Sequence, residues 1–253
     1  MNFKNIFLLI FIIFFLSACI PKQNDVKSVF QSNAANIIKY DYKRLQKLLL
    51  SFKNKLNKRN PKAYDKNLEK KITTLIKNSE KSLFLKHENT TLKEYKDYLN
   101  LAFSKEAISS RNDYLILGLY YSIYNAYDIQ DGHRFTALQY SKEKLHKLHK
   151  NLQVLRWKIK VDRDTNNEYL FLTWQNNWQV ELERKINNNH QITYLDIENL
   201  KYIKEEKESL LDPSNFTFEI ILTQMIDNVE NSLIALGEEP TNLTIGAVMF
   251  LFL

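Results

Sequence analysis

Residues 113 to 129, DYLILGLYYSIYNAYDI, are apolar or aromatic on nearly every side of a helical wheel, and this constrains the whole chain. A helix with one apolar stripe can lie on a surface, whereas a helix that is apolar all round has to be enclosed. With Asp113 and Asp128 at its ends, the segment falls short of the roughly 20 apolar residues that a membrane span needs. The pattern therefore predicts a central buried helix. Amphipathic neighbours must supply its walls.

Such neighbours are present. Ile38, Tyr42, Leu45, Leu49, Phe52 and Leu56 recur at helical spacing, and Asn60-Pro61 stops that helix. Tyr64, Leu68, Ile72, Leu75 and Ile76 make a second stripe. Thr91 and Glu94 stand at capping-box spacing before Tyr95, Tyr98, Leu99, Ala102 and Phe103. After a turn at Asp131-Gly132, a long helix is expected from about Phe135 to Ile159, then another near 193 to 210, ending at Asp212-Pro213-Ser214. The last stripe is Phe218, Ile221, Leu222, Met225, Val229, Leu233 and Leu236, with Gly237 as its C-cap. The predicted fold class is all-α, a multi-helix bundle around a buried aromatic helix.

One stretch reads two ways. In 156–174, Trp157, Ile159 and Val161 alternate with polar residues and precede the turn-rich Asp164-Thr165-Asn166-Asn167, so a small β-hairpin is the alternative to helix. The terminal LTIGAVMFLFL, 11 residues from Leu243, is expected to pack on the bundle as a last helix, with docking on a partner or membrane as the alternative.

The chain begins with one cation, Lys4, an apolar run of 11 residues from Ile6 to Leu16, and then small residues, the pattern of an export signal. The segment ends Leu16-Ser17-Ala18-Cys19, which resembles the lipobox of bacterial lipoproteins over residues 1–19. The resemblance implies cleavage before Cys19 and acylation of its thiol and new amino terminus. Several acyl chains hold a protein firmly, since each buried methylene adds about 0.8 kcal/mol. Residues 1–18 are then the signal peptide, 19–27 the acylated tether, and 28–253 a single helical domain. By the same resemblance, Ile20-Pro21 after the cysteine, without an Asp, favours the outer membrane over the inner, with the domain facing the periplasm.

Cys19 is the only cysteine, so the mature domain has no thiol left for a disulfide or a cysteine metal site. Removing residues 1–18 leaves 35 basic against 29 acidic side chains, a net charge of +6. The charges are segregated: 14 Lys or Arg against four acids between Lys39 and Lys81, then 11 acids against three lysines between Asp196 and Glu239. A basic segment 39–81 near a lipid tether suits anionic head groups, at about 1 kcal/mol per cation, while a solvated helix face is the plainer reading. Export argues against nucleic acid as a partner.

The chain has four glycines, and none forms the spaced glycine-rich loop that phosphate cradling requires. No cofactor is implied. In TWQNNWQ, 173–179, Trp174 and Trp178 share a face on either a helix or a strand, beside or opposite Gln175 and Gln179. Core packing is preferred, and a sugar-binding surface is the alternative, because rings can stack on sugars while amides bond hydroxyls. In EKLHKLH, Glu143, His146 and His149 lie on one helical side. A Glu-x-x-His pair is half of a di-iron site, but no second pair exists, so a solvated face is preferred and no metal is expected. In DIQDGHRF, Asp128, Asp131, His133 and Arg134 form a turn where an acid could orient His133 for general-base work, though no nucleophile is identifiable. A binding or scaffolding protein of the envelope, acting on a protein or glycan, is the leading expectation. The alternatives are a glycan- or lipid-binding module using the aromatic centre (Tyr114, Tyr120, Tyr121, Tyr124, Tyr127 and Phe135) and a hydrolase around His133.

Overall fold

The computed structural model describes residues 33–131, 139–173, 177–188, 191–207 and 216–240. The helices are α1 (Asn33–Arg59), α2 (Lys66–Asn78), α3 (Tyr95–Ala102), α4 (Arg111–Ala126), α5 (Lys142–Val161), α6 (Asn177–Asn187), α7 (Tyr194–Glu198), α8 (Lys201–Lys204) and α9 (Phe216–Ala235). One small antiparallel hairpin, β1 (Lys86–His87) with β2 (Thr90–Thr91), lies between α2 and α3. The protein is a helical bundle with a buried aromatic centre, as the periodicity predicts.

Helix α4 is that centre. Every one of its residues is buried except Asn125. Helices α1, α2, α3 and α5 pack on it, and α9 closes the bundle against α1 and α5. Ring contacts Phe52–Phe218 and side-chain contact Asp41–Ser232 make α1 and α9 antiparallel. The stripe Ile38, Tyr42, Leu45, Leu49, Phe52, Leu56 is buried throughout, because a long amphipathic helix gains most by turning its single apolar face to the shared core.

The tyrosines of α4 serve packing and also fasten loops. Tyr120 and Tyr121 lie 5.3 Å apart between ring centroids, and Tyr98–Tyr121 are 5.5 Å apart. The Tyr120 hydroxyl lies 3.1 Å from the Leu75 carbonyl, and Tyr121 donates to the Leu83 carbonyl. Each buried hydroxyl thereby meets a backbone acceptor instead of lying orphaned. Tyr42 does the same for the end of α2, where Ser79 takes the left-handed conformation (φ 57°) and its Oγ accepts from the Tyr42 hydroxyl at 2.9 Å. Burial pushes the Tyr42 phenol up to about 12.

Three elements depart from expectation, and the stretch that reads two ways is decided for helix through Val161. The hairpin of 156–174 is reduced to one bridge, Arg163 with Tyr169, because residues through Val161 stay in α5, whose stripe of Leu148, Leu152, Leu155 and Ile159 is buried. The hairpin at 86–91 has no alternating pattern to announce it; the Tyr98 hydroxyl pins its ends, accepting from Leu85 N at 2.9 Å and donating to the Leu92 carbonyl at 3.1 Å. Thr91 accordingly sits in β2, and Glu94 is the N-cap of α3, its N–H bonded to Asp97 Oδ2 at 3.3 Å. The helix near 193–210 is broken into α7 and α8 at Leu200, which is fully buried and has non-helical backbone angles (φ −57°, ψ 134°). The final helix does end at Gly237, whose φ of +75° and the bond from Glu238 N to the Leu233 carbonyl at 3.0 Å form a Schellman cap. Helix α5 begins at Lys142, capped by Ser141. The tail 243–253 and the Asp212-Pro213-Ser214 stop lie outside the described residues.

Candidate functional site

Of the residues singled out by sequence, Cys19, His133, Arg134, Phe135, Trp174 and Gln175 lie outside the described residues. Trp178 and Gln179 open α6, with Trp178 half-buried and Gln179 exposed. Asp128, at the turn proposed to orient His133, is buried and paired with Lys144 of α5. That carboxylate already has a cation.

The solvated-face reading of EKLHKLH is corrected for His149, which is 1% exposed. Helices α5 and α9 run antiparallel along a seam where bases of one meet acids of the other. Lys142 and His146 meet Glu238 at 2.6 and 3.3 Å, His149 meets Glu230 at 2.8 Å, and Lys160 meets Glu219 at 2.9 Å. Hydrogen bonds from Lys142 and His146 hold the Glu238 carboxyl below its ordinary value. Glu219, Glu230 and Glu238 of the acidic C-terminal third thus find counter-charges on α5. Among the described residues, no group of three or more His, Cys, Asp or Glu is placed to hold a metal ion.

Two buried acids stand apart from this seam. Asp41 accepts from Ser232 Oγ at 3.0 Å, and Ser232 in turn meets the Tyr127 hydroxyl at 3.0 Å. Asp113 accepts from the backbone N–H of Asp65 at 2.7 Å. Burial raises both carboxyls to about 6. Because the folded value lies above the unfolded one, protonation favours the fold below about pH 4, and this contribution is lost as pH rises through about 6. At about 1.4 kcal/mol per pKa unit, each ionised acid costs the fold on the order of 2–3 kcal/mol at pH 7.5. Asp41→Asn keeps an acceptor for Ser232 without the charge. It is expected to raise stability at pH 7.5 by about 2 kcal/mol, to change it little at pH 4, and to flatten the decline between; urea titrations at both pH values check this.

The site with the clearest ligand-facing chemistry is a solvent-open groove of about 530 Å³ where the start of α3, the last turns of α4 and the first half of α5 meet. Helix α4 contributes Ser122, Asn125 and Ala126, which share one face at i, i+3 and i+4. This is where the apolar middle of the helix gives way to polar residues. Helix α5 turns Leu145, Leu148, Leu152 and Leu155 into the core, and Lys144, Lys147 and Asn151 fall on its groove side. Glu94, Tyr95 and Lys96 complete the wall, and Ser141 and Glu143 stand at the head of α5. Ser122 is 5% exposed, and its hydroxyl has no hydrogen-bond partner among the described residues. Among the described residues, none of Lys96, Lys147, Glu94 and Glu143 is ion-paired, whereas Lys144 is neutralised by Asp128.

Ser122 and Asn125 are the polar interruptions in YYSIYNAY, but nothing near them in the sequence marks a groove. What brings α3 and α5 beside them is tertiary packing. Comparison with known proteins finds no matching family model, no matching curated protein and no matching solved structure.

Proposed function

We propose that the chain is a lipid-anchored cell-envelope protein of binding or scaffolding type, tethered through Cys19 and lying with α1 against an anionic bilayer, the outer membrane being favoured. The anchor rests on Leu16-Ser17-Ala18-Cys19 after the apolar run. The structural observation that supports the reading is the outward face of α1. Ile37 and Tyr40 are exposed at its N-terminal end, the end nearest Cys19, and Lys43, Arg44 and Lys47 follow one and two turns on. Lys43 and Lys47 have no acid partner among the described residues. An apolar side chain and a phenol ring beside cations suit the head-group boundary, where each Lys or Arg contributes about 1 kcal/mol. Thirteen residues, 20–32, separate Cys19 from Asn33, a reach of at most about 45 Å at full extension. No helix among the described residues is long and apolar enough to cross a membrane.

Metabolic labelling with a fatty-acid probe is expected to mark the protein, and Cys19→Ser to abolish the label and release the chain from membranes. Undiminished labelling in that variant would refute the anchor. The α1 contact has its own arm. Residual flotation of Cys19→Ser protein with vesicles containing phosphatidylglycerol should drop several-fold in Lys43→Glu/Lys47→Glu, and an unchanged flotation would remove α1 from the membrane surface.

A further inference from the structure

We propose that the groove between α3, α4 and α5 binds an uncharged oligosaccharide. The inference rests on reading the chain as a binding protein and is independent of its anchor. Three observations carry it.

Ser122 lies on the α4 wall of the groove; the residue is 5% exposed, and its hydroxyl, which is open rather than enclosed, has no hydrogen-bond partner among the described residues. A hydroxyl that opens to a groove and has no protein partner is a ready donor and acceptor for a ligand. The neighbouring amides of Asn125 and Asn151 each offer a donor beside an acceptor, the pairing that vicinal hydroxyls match.

The balance of charge decides the ligand class. Lys96 and Lys147 face the groove with Glu94 and Glu143, and none of the four has an ion-pair partner among the described residues. A phosphate or carboxylate would meet two carboxylates there, and a cation would meet two ammonium groups. A polyol can donate to the acids and accept from the lysines at once, and hydrogen bonds to charged groups are the stronger kind, at about 1.5–3 kcal/mol each.

Apolar surface completes the match. Tyr95, half-buried, and Leu148 both line the groove, and an aromatic side chain there suits the C–H face of a sugar. The volume of about 530 Å³ lies within the range of clefts that enclose small ligands.

The test is an oligosaccharide array probed with the full chain, carrying neutral chitin-, malto- and galacto-oligomers, uronic-acid and sialylated members, and phosphorylated sugars. Titration calorimetry with the best neutral binder and with inorganic phosphate follows. Neutral members are expected to bind. Ser122→Val should weaken that binding at least about tenfold while leaving the melting temperature unchanged, because no protein hydrogen bond is lost. Asn125→Ala/Asn151→Ala, on the groove's open side, should act in the same direction and covers the case of a misfolded Ser122 variant. Binding confined to anionic members and phosphate would overturn the proposal in favour of an anion site. Neutral binding untouched by the Ser122 and Asn variants would place the sugar elsewhere, and a blank array would also refute it. Fatty-acid labelling at Cys19 is read separately, so a negative array leaves the anchoring proposal to its own test.

Discussion

Replacing Arg111 by Ala is expected to cost about 4 kcal/mol of stability, more than most truncations of a polar side chain. The side chain is 7% exposed, and the Asp164 carboxylate acts on it by charge without an ion-pair contact. Its guanidinium donates instead to three backbone carbonyls: Ala102 at 2.8 Å, Ser104 at 2.7 Å and Glu106 at 2.6 Å. These carbonyls end α3 and begin the turn into α4, where no helical N–H reaches them. Hydrogen bonds from a charged donor contribute about 1.5–3 kcal/mol each, and water entering the vacated space recovers part of the loss. Burial holds the guanidinium below its ordinary pKa without neutralising it. Arg111→Lys retains the charge but lacks the planar fork, so an intermediate loss of about 2 kcal/mol is expected. Urea unfolding of both variants checks the order. A loss below about 1 kcal/mol in Arg111→Ala would mean that water already serves the three carbonyls.

Gly118→Val is expected to cost about 3 kcal/mol, against the usual rule that glycine inside a helix is a weakness. A Cβ at position 118 would lie 2.8 Å from Leu99 Cδ2, 2.9 Å from Leu99 Cγ and 3.2 Å from the Leu99 backbone nitrogen. The side-chain atoms can move, but the backbone nitrogen belongs to α3 and cannot move without the helix. Helices α3 and α4 approach this closely only because 118 has no side chain. Overpacking a dense interior costs about 1–3 kcal/mol, and the second branch of valine puts the change at the upper end. The double variant Gly118→Val/Leu99→Ala should be more stable than the sum of its singles predicts, by at least about 1 kcal/mol, since the first side chain fills part of the space the second vacates. Strict additivity would show that α3 shifts as a rigid unit.

The same glycine shows how much was legible beforehand. Its presence in an aromatic helix was plain, but its reason is Leu99, 19 residues earlier in the chain. His149 is a second case. Its spacing with His146 placed it on a helix side, but whether that side met water depended on α9, whose Glu230 lies 81 residues further on. The groove is a third, since its Ser122 and Asn125 were visible as polar interruptions while Tyr95, Lys147 and Asn151 arrive from other helices. For the Trp pair, the structure adds the half-burial of Trp178 alone.

By itself, the sequence determined the helical class, the enclosed helix at its centre, the buried stripes of α1 and α9 and the stop at Gly237. These follow from periodicity and from backbone preference, which act within a few residues and need no knowledge of a partner. Tertiary structure decided the hairpin held by Tyr98, the break at Leu200, the pairing of C-terminal acids with α5, and the meeting of three helices around Ser122. Each depends on groups far apart in the chain whose hydrogen bonds and charges are satisfied only once the apolar faces have packed. Burial sets the helices in place first, and the polar chemistry is whatever that packing brings within about 3 Å.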